Sequence, residues 1–143
     1  MKVLVINGPN LNMLGRRDPA VYGTCTLSDI AAMVASGVEG VDTEWFTSNY
    51  EGAIIERLHA VVINGDADAV VINAGAYSHY SIAIRDALDM VTVPKIEVHL
   101  SNIYEREEFR RTSVLSAVCD EVIAGHGAQG YVEAVALCKE KLA

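Results

Sequence analysis

The groups in this chain best suited to moving protons are a tyrosine near two arginines, an imidazole two residues after a carboxylate, and a loop joining an amide to a second imidazole. The first lies in Gly15-Arg16-Arg17-Asp18-Pro19-Ala20-Val21-Tyr22-Gly23. A tyrosine is a weak base at neutral pH unless a nearby cation favours its phenolate. Arg17 is the obvious candidate, with Arg106 behind it; the alternative is that Tyr22 is an aromatic plug anchoring the loop.

The second group is Glu97-Val98-His99-Leu100-Ser101-Asn102. Side chains two apart on a strand share a face, so Glu97, His99 and Ser101 point one way and Val98 and Leu100 the other. A strand inside a parallel sheet is expected to be apolar on both faces. This polar face therefore needs a reason, and a carboxylate orienting an imidazole supplies one. The third group is Asn73-Ala74-Gly75-Ala76-Tyr77-Ser78-His79, where an apolar run ends in an amide and passes through a polar turn towards a helix start at Ser81. The stretch reads equally as an ordinary β–α turn or as the floor of a substrate site, with Asn73 and His79 on it.

Arg106 and Arg110, four apart in the helix-like segment Tyr104 to Arg111, share a face, with Phe109 expected to dock the segment. Such a pair suits a carboxylate through bidentate hydrogen bonds; salt bridges to Glu105, Glu107 and Glu108 are the alternative. Gly125-His126-Gly127-Ala128-Gln129-Gly130 matches G-x-G-x-x-G, but the sequence stops at Ala143 before the acidic strand that a dinucleotide site needs. These glycines are expected to serve a tight turn and close helix packing. No Walker A, H-E-x-x-H or G-x-S-x-G pattern occurs. The inventory suits proton transfers on a small anion without metal or cofactor, as in a lyase or isomerase.

Alternating elements must position these groups. Val3 to Ile6 reads as a strand buried on both faces, stopped by Asn7-Gly8-Pro9-Asn10, and Leu11 to Thr26 shows no sustained period. A helix begins near Ser28 and Asp29 and ends near Gly37. A strand follows over Asp42 to Ser48, and then a helix with Ile54, Leu58, Val61 and Val62 on one face until Gly65. Further strands are expected at Ala69 to Ile72, Lys95 to Leu100 and Val122 to Ala124, with helices from Ser81 to Met90 and after Gly130. This alternation calls for a parallel α/β sheet with right-handed crossovers. Five strands suggest the flavodoxin-like three-layer order 2-1-3-4-5, whose switch point between strands 1 and 3 brings Asn7 to Asn10 beside Asn73.

The 143 residues fit a single domain. A net charge of -8 argues against a nucleic-acid partner, while five of the seven arginines gather as Arg16, Arg17, Arg106, Arg110 and Arg111, as a small anionic ligand would require. The three cysteines offer no C-x-x-C pair and predict neither a disulfide framework nor structural zinc. With strand Val3 to Ile6 starting directly after Lys2, no signal peptide or membrane span is expected, and a cytoplasmic location is.

Six segments resemble type II 3-dehydroquinate dehydratases in one register: Asn7 to Asn12, Gly15 to Pro19 with Tyr22-Gly23, Asn73 to His79, Ile84 to Ala87, Ile96 to Asn102 and Arg106 to Arg110. The resemblance implies a flavodoxin-like fold and cofactor-free anti elimination of water from 3-dehydroquinate, through an enolate, in the shikimate or quinate pathway. It implies Tyr22 as the base, Arg17 as the group promoting its ionisation, His99 as the acid with Glu97 supporting it, and Asn10 as the holder of a water near the enolate oxygen. It further implies substrate binding by Asn73, His79, Leu100, Ser101 and Arg110, the last through a ring hydroxyl where spacing alone suggested a carboxylate. Asp86 matches a residue lent across a trimer interface, in a dodecamer built from trimers. Departures fall at Tyr104 and over Thr112 to Ala117, and place the outer wall and subunit packing in question. The alternative function is a flavodoxin-like flavin or nucleotide binding module.

Overall fold

The computed structural model describes Met1 to Ala143 and contains one parallel sheet of five strands in the order β2-β1-β3-β4-β5. The strands are β1 (Lys2–Asn7), β2 (Asp42–Thr47), β3 (Ala69–Asn73), β4 (Lys95–His99) and β5 (Glu121–Ala124). The helices are α1 (Pro19–Tyr22), α2 (Leu27–Gly37), α3 (Glu51–Asn64), α4 (Ile82–Asp89) and α5 (Gln129–Leu142). The flavodoxin-like order expected from the alternation is the one observed. No helix is long and apolar enough to cross a membrane.

Alternation along each strand divides the core between the two faces. Val3, Val5, Val71, Ile96 and Val98 pack with Ile30 and Val34 of α2 and Val135 of α5. Leu4, Ile6, Val70 and Ile72 pack on the other face with Ile54 and Leu58 of α3 and Ile84 and Leu88 of α4. β1 and β3 lie inside the sheet, which is why Val3 to Ile6 and Ala69 to Ile72 are apolar at every position rather than at every second one. Helix α2 starts one or two residues earlier than Ser28 and Asp29 suggested. Thr26 Oγ1 accepts from the Asp29 N–H at 3.1 Å while Asp29 accepts from the Thr26 N–H at 3.0 Å, a reciprocal cap.

Two expectations need correction. The aperiodic stretch after Leu11 is not all loop: it contains a 3-10 turn over Leu11–Met13 and the single-turn helix α1, started by Pro19 and capped by Asp18, which accepts from the Ala20 N–H at 3.0 Å. Tyr104 to Arg111 is not a helix either. The crossover from β4 to β5 consists of 3-10 turns at Ile103–Glu105, Glu108–Arg110 and Ser116–Val118, and Phe109, expected to dock it, is exposed. With both Tyr104 and Phe109 in solvent, the segment has no apolar stripe to hold a helix against the sheet.

At the carboxyl end of the sheet, β1 and β3 pair in register up to Asn7 opposite Asn73. The Gly8 N–H then donates to the Asn73 carbonyl at 2.8 Å, and a Cβ on Gly8 would stand 2.3 Å from the Ala74 carbonyl oxygen. Only glycine permits so close an approach of the two strand-end loops. Gly130 serves the packing role expected of the G-x-G-x-x-G stretch: a Cβ there would lie 3.3 Å from a Val98 methyl, so α5 rests closely on β4.

Candidate active site

A cleft open to solvent lies over the ends of β1, β3 and β4. It gathers Asn10, Arg17, Tyr22, Asn73, His79, His99, Leu100, Ser101 and Arg110, nine of the eleven residues singled out in the sequence. Glu97 lies behind His99 with no exposure of its own. Asp86 is exposed on α4 and does not line this cleft. Arg106, read in the sequence as standing behind Arg17 and as pairing with Arg110 for a carboxylate, also lines it.

The outer wall is cationic. Arg17 Cζ is 3.7 Å and Arg106 Cζ 5.3 Å from the centre of the half-buried Tyr22 ring, distances at which a guanidinium is attracted to the π face. Arg106 also donates a long bond of 3.5 Å to Ser101 Oγ. Helix α1 brings this about, because its single turn carries Tyr22 back beneath Arg17. Arg110 donates to exposed Glu107 at 2.8 Å, which together with the Glu107 backbone amide holds that carboxyl below its usual range. The expected alternation of salt bridges thus occurs at Glu107 while Arg110 still lines the cleft. Arg111 points away, exposed, and donates to the Arg106 carbonyl at 3.2 Å.

On the inner wall, β4 carries the polar pair predicted from alternation. His99 Nε2 contacts Glu97 Oε2; a carboxylate only accepts, so Nε2 carries the proton and Nδ1 has no protein partner. Two further donors close around the carboxylate: Ser113 Oγ to Oε2 at 2.6 Å and Ser116 Oγ to Oε1 at 2.6 Å. Burial by itself would raise the Glu97 pKa, but hydrogen bonds from His99, Ser113 and Ser116 outweigh it and hold the group below its ordinary value. Here is the reason for a polar face inside the sheet. Glu97 pairs with Ile72 on the α4 side, where the helix-free crossover supplies hydroxyls in place of an aliphatic cover. Ser113 and Ser116, in the stretch the sequence marked only as a departure, are the functional candidates that spacing did not reveal. Neither carries a sequence signal of its own, because the buried Leu115 between them makes the stretch look like ordinary core-flanking chain.

The floor is rigid. Asn73 Oδ1 accepts from the Gly75 N–H at 3.1 Å, in a turn where Gly75 has φ 59°. His79 Nδ1 lies 2.9 Å from the Thr112 carbonyl, which can only accept; Nδ1 is therefore protonated and Nε2 of the neutral ring is left as an acceptor. Asn10 is the one non-glycine residue with positive φ, 69°, a conformation asparagine tolerates better than most, and its N–H donates to Asn49 Oδ1 at 2.9 Å. Its backbone is thereby held at the rim of the cleft. The arrangement places a phenol under two cations on one wall, an imidazole backed by a carboxylate on another, and amide and imidazole groups beneath.

The family Dehydroquinase class II matches residues 1–139. A 3-dehydroquinate dehydratase of Thermotoga neapolitana is 57% identical over 137 residues, covering 94% of this chain and 92% of its own, and that of Thermotoga maritima is 54% identical over 144 residues, covering 99% and 97%. The crystal structure of the type II dehydroquinase from Butyrivibrio crossotus superposes with a TM-score of 0.92 at 47% identity, covering 97% of both chains. A family match over residues 1–139, with relatives more than half identical across nearly the whole chain, makes the chain a member of the class II dehydroquinase family.

Proposed function

We propose that this protein dehydrates 3-dehydroquinate to 3-dehydroshikimate by anti elimination in the cleft over β1, β3 and β4, with residues 1–143 acting as one catalytic domain. The observation that supports the reading is that one cleft is lined by two unlike proton-transfer groups, Tyr22 beneath Arg17 and His99 backed by Glu97. Tyr22, as phenolate, takes the C2 proton; the C–H electron pair becomes the enolate, and Arg17 lies where it favours negative charge on the phenol and on the developing oxyanion. Asn10 holds a water beside the enolate oxygen. The carbon–oxygen bond to the leaving hydroxyl then breaks as His99, entering the step as imidazolium with its Nε2 proton on Glu97, delivers the second proton from Nδ1 and becomes neutral, and water departs. The cycle closes when the proton held by Tyr22 returns to His99 through solvent.

Asn73, His79, Leu100, Ser101 and Arg110 bind the substrate in this scheme. His79 Nε2 accepts from a ring hydroxyl and Arg110 contacts a second. Asp86, facing away from its own cleft, acts in that of a neighbouring subunit, within a dodecamer built from trimers; the assembly works in the cytoplasm and needs neither metal nor cofactor. Purified protein mixed with 3-dehydroquinate and a chelator should develop the absorbance of the conjugated product. A folded protein that leaves the substrate unchanged contradicts the reading, and light scattering that finds only monomers contradicts the role of Asp86.

A further inference from the structure

Behind the floor of the cleft, three buried polar side chains from three elements form one line. Asn7 ends β1, Asn73 ends β3 at the paired position, and Tyr131 comes from the first turn of α5. The Gly75 N–H donates to Asn73 Oδ1, which fixes the orientation of that amide and turns Nδ2 towards Tyr131. Nδ2 donates to the Tyr131 hydroxyl at 3.0 Å, and the single proton of that hydroxyl goes to Asn7 Oδ1 at 2.6 Å. Every bond in the line runs in the same direction. The Tyr131 ring has no exposure and stacks on Trp45 with centroids 5.7 Å apart, and burial pushes its phenol up, so the hydroxyl stays a neutral donor.

The line ends at Asn7 Nδ2, which is buried and has no partner. A core selected for stability alone would carry apolar groups here, because an orphaned amide N–H forfeits its hydrogen bonds to water. The compensation lies at the other end. Asn73 Nδ2 keeps a second proton, and the residue lines the cleft.

We propose that Tyr131 is a positioning residue for the reaction: its hydroxyl fixes the Asn73 amide so that the remaining N–H is presented to an oxygen substituent of the substrate ring. This rests on the reading of Asn73 as part of the substrate floor. It draws α5, which contributes no residue to the cleft, into substrate recognition.

Tyr131→Phe keeps the stacked ring and removes only the hydroxyl. It should raise KM roughly 10-fold and leave kcat within about 2-fold, the pattern of a lost interaction made equally in the ground and transition states. In an Asn73→Ala background the same substitution should add little, because its target is gone. Val135→Ala, on the core face of the same helix, serves as the structural control and should lower the melting temperature with KM unchanged. Should Tyr131→Phe not fold, Asn7→Ala breaks the far end of the line and should raise KM about 3-fold. A KM unmoved by Tyr131→Phe, an equal rise in the Asn73→Ala background, or an equal rise in Val135→Ala overturns the proposal. The line also has a readout independent of turnover: the Asn73 side-chain amide resonance, identified by its loss in Asn73→Asp, should shift in Tyr131→Phe. Wild-type protein inert towards 3-dehydroquinate strikes the proposed reaction. The resonance still decides whether Tyr131 holds Asn73, and an unmoved one overturns that.

Discussion

Arg17 lies with its guanidinium carbon 3.7 Å from the centre of the Tyr22 ring, so the cation faces the phenol's π system. A planar, delocalised cation can lie over an aromatic face in a way that a lysine ammonium on a flexible stem does not reproduce. Arg17→Lys should therefore behave almost like Arg17→Ala, each lowering kcat roughly 100-fold, the scale of removing one preorganised charge-stabilising donor. Steady-state kinetics of the two variants check this; a lysine variant close to wild type would show that charge alone suffices.

The environment of Glu97 makes a prediction about acid. Its pKa is depressed in the folded protein, so the stabilisation it contributes is fully present above the ordinary carboxylate value and is lost as pH falls through the lower folded value. Removing Ser113 and Ser116 hydroxyls takes away two donors that favour the charged form. The double variant Ser113→Ala, Ser116→Ala should then unfold at a higher pH than wild type when titrated downward from neutral and followed by circular dichroism. An unchanged acid midpoint would mean that the serines do not hold the carboxylate ionised.

Gly8 tests how the cleft is assembled. Any Cβ there meets the Ala74 carbonyl at 2.3 Å, a backbone atom that cannot swing aside. Gly8→Ala should cost about 2–4 kcal/mol of stability and displace the loop carrying Asn10, with activity falling beyond what the loss of folded protein explains. Denaturant unfolding and specific activity at a temperature where the variant is folded measure both effects.

How much of this was legible in the sequence depends on the range of the interaction. The apolar runs of β1 and β3 and the Glu97–His99 alternation are local patterns, and the strands, the topology and the inner wall followed from them. The crossover after β4 misled because its Glu and Arg content favours a helix, while the absence of an apolar stripe, visible once Tyr104 and Phe109 are found in solvent, forbids one. Ser113 and Ser116 gave no signal of their own, since a loop serine looks the same whether it faces water or a carboxylate 16 or 19 residues away. Tyr131 gave no signal in the sequence, because its hydroxyl partners lie 58 and 124 residues away, beyond any periodicity.

The central claim is that Tyr22 takes the proton while the floor of the cleft binds the substrate independently. Tyr22→Phe separates the two, because the ring still fills its place beneath Arg17 but has no oxygen to accept a proton. Product absorbance and calorimetric binding of 3-dehydroquinate, measured on the same preparation, give the decisive comparison. The account predicts an affinity within a few-fold of wild type, about 3-fold at most, and a turnover reduced by at least about 100-fold. Turnover near the wild-type rate would contradict it.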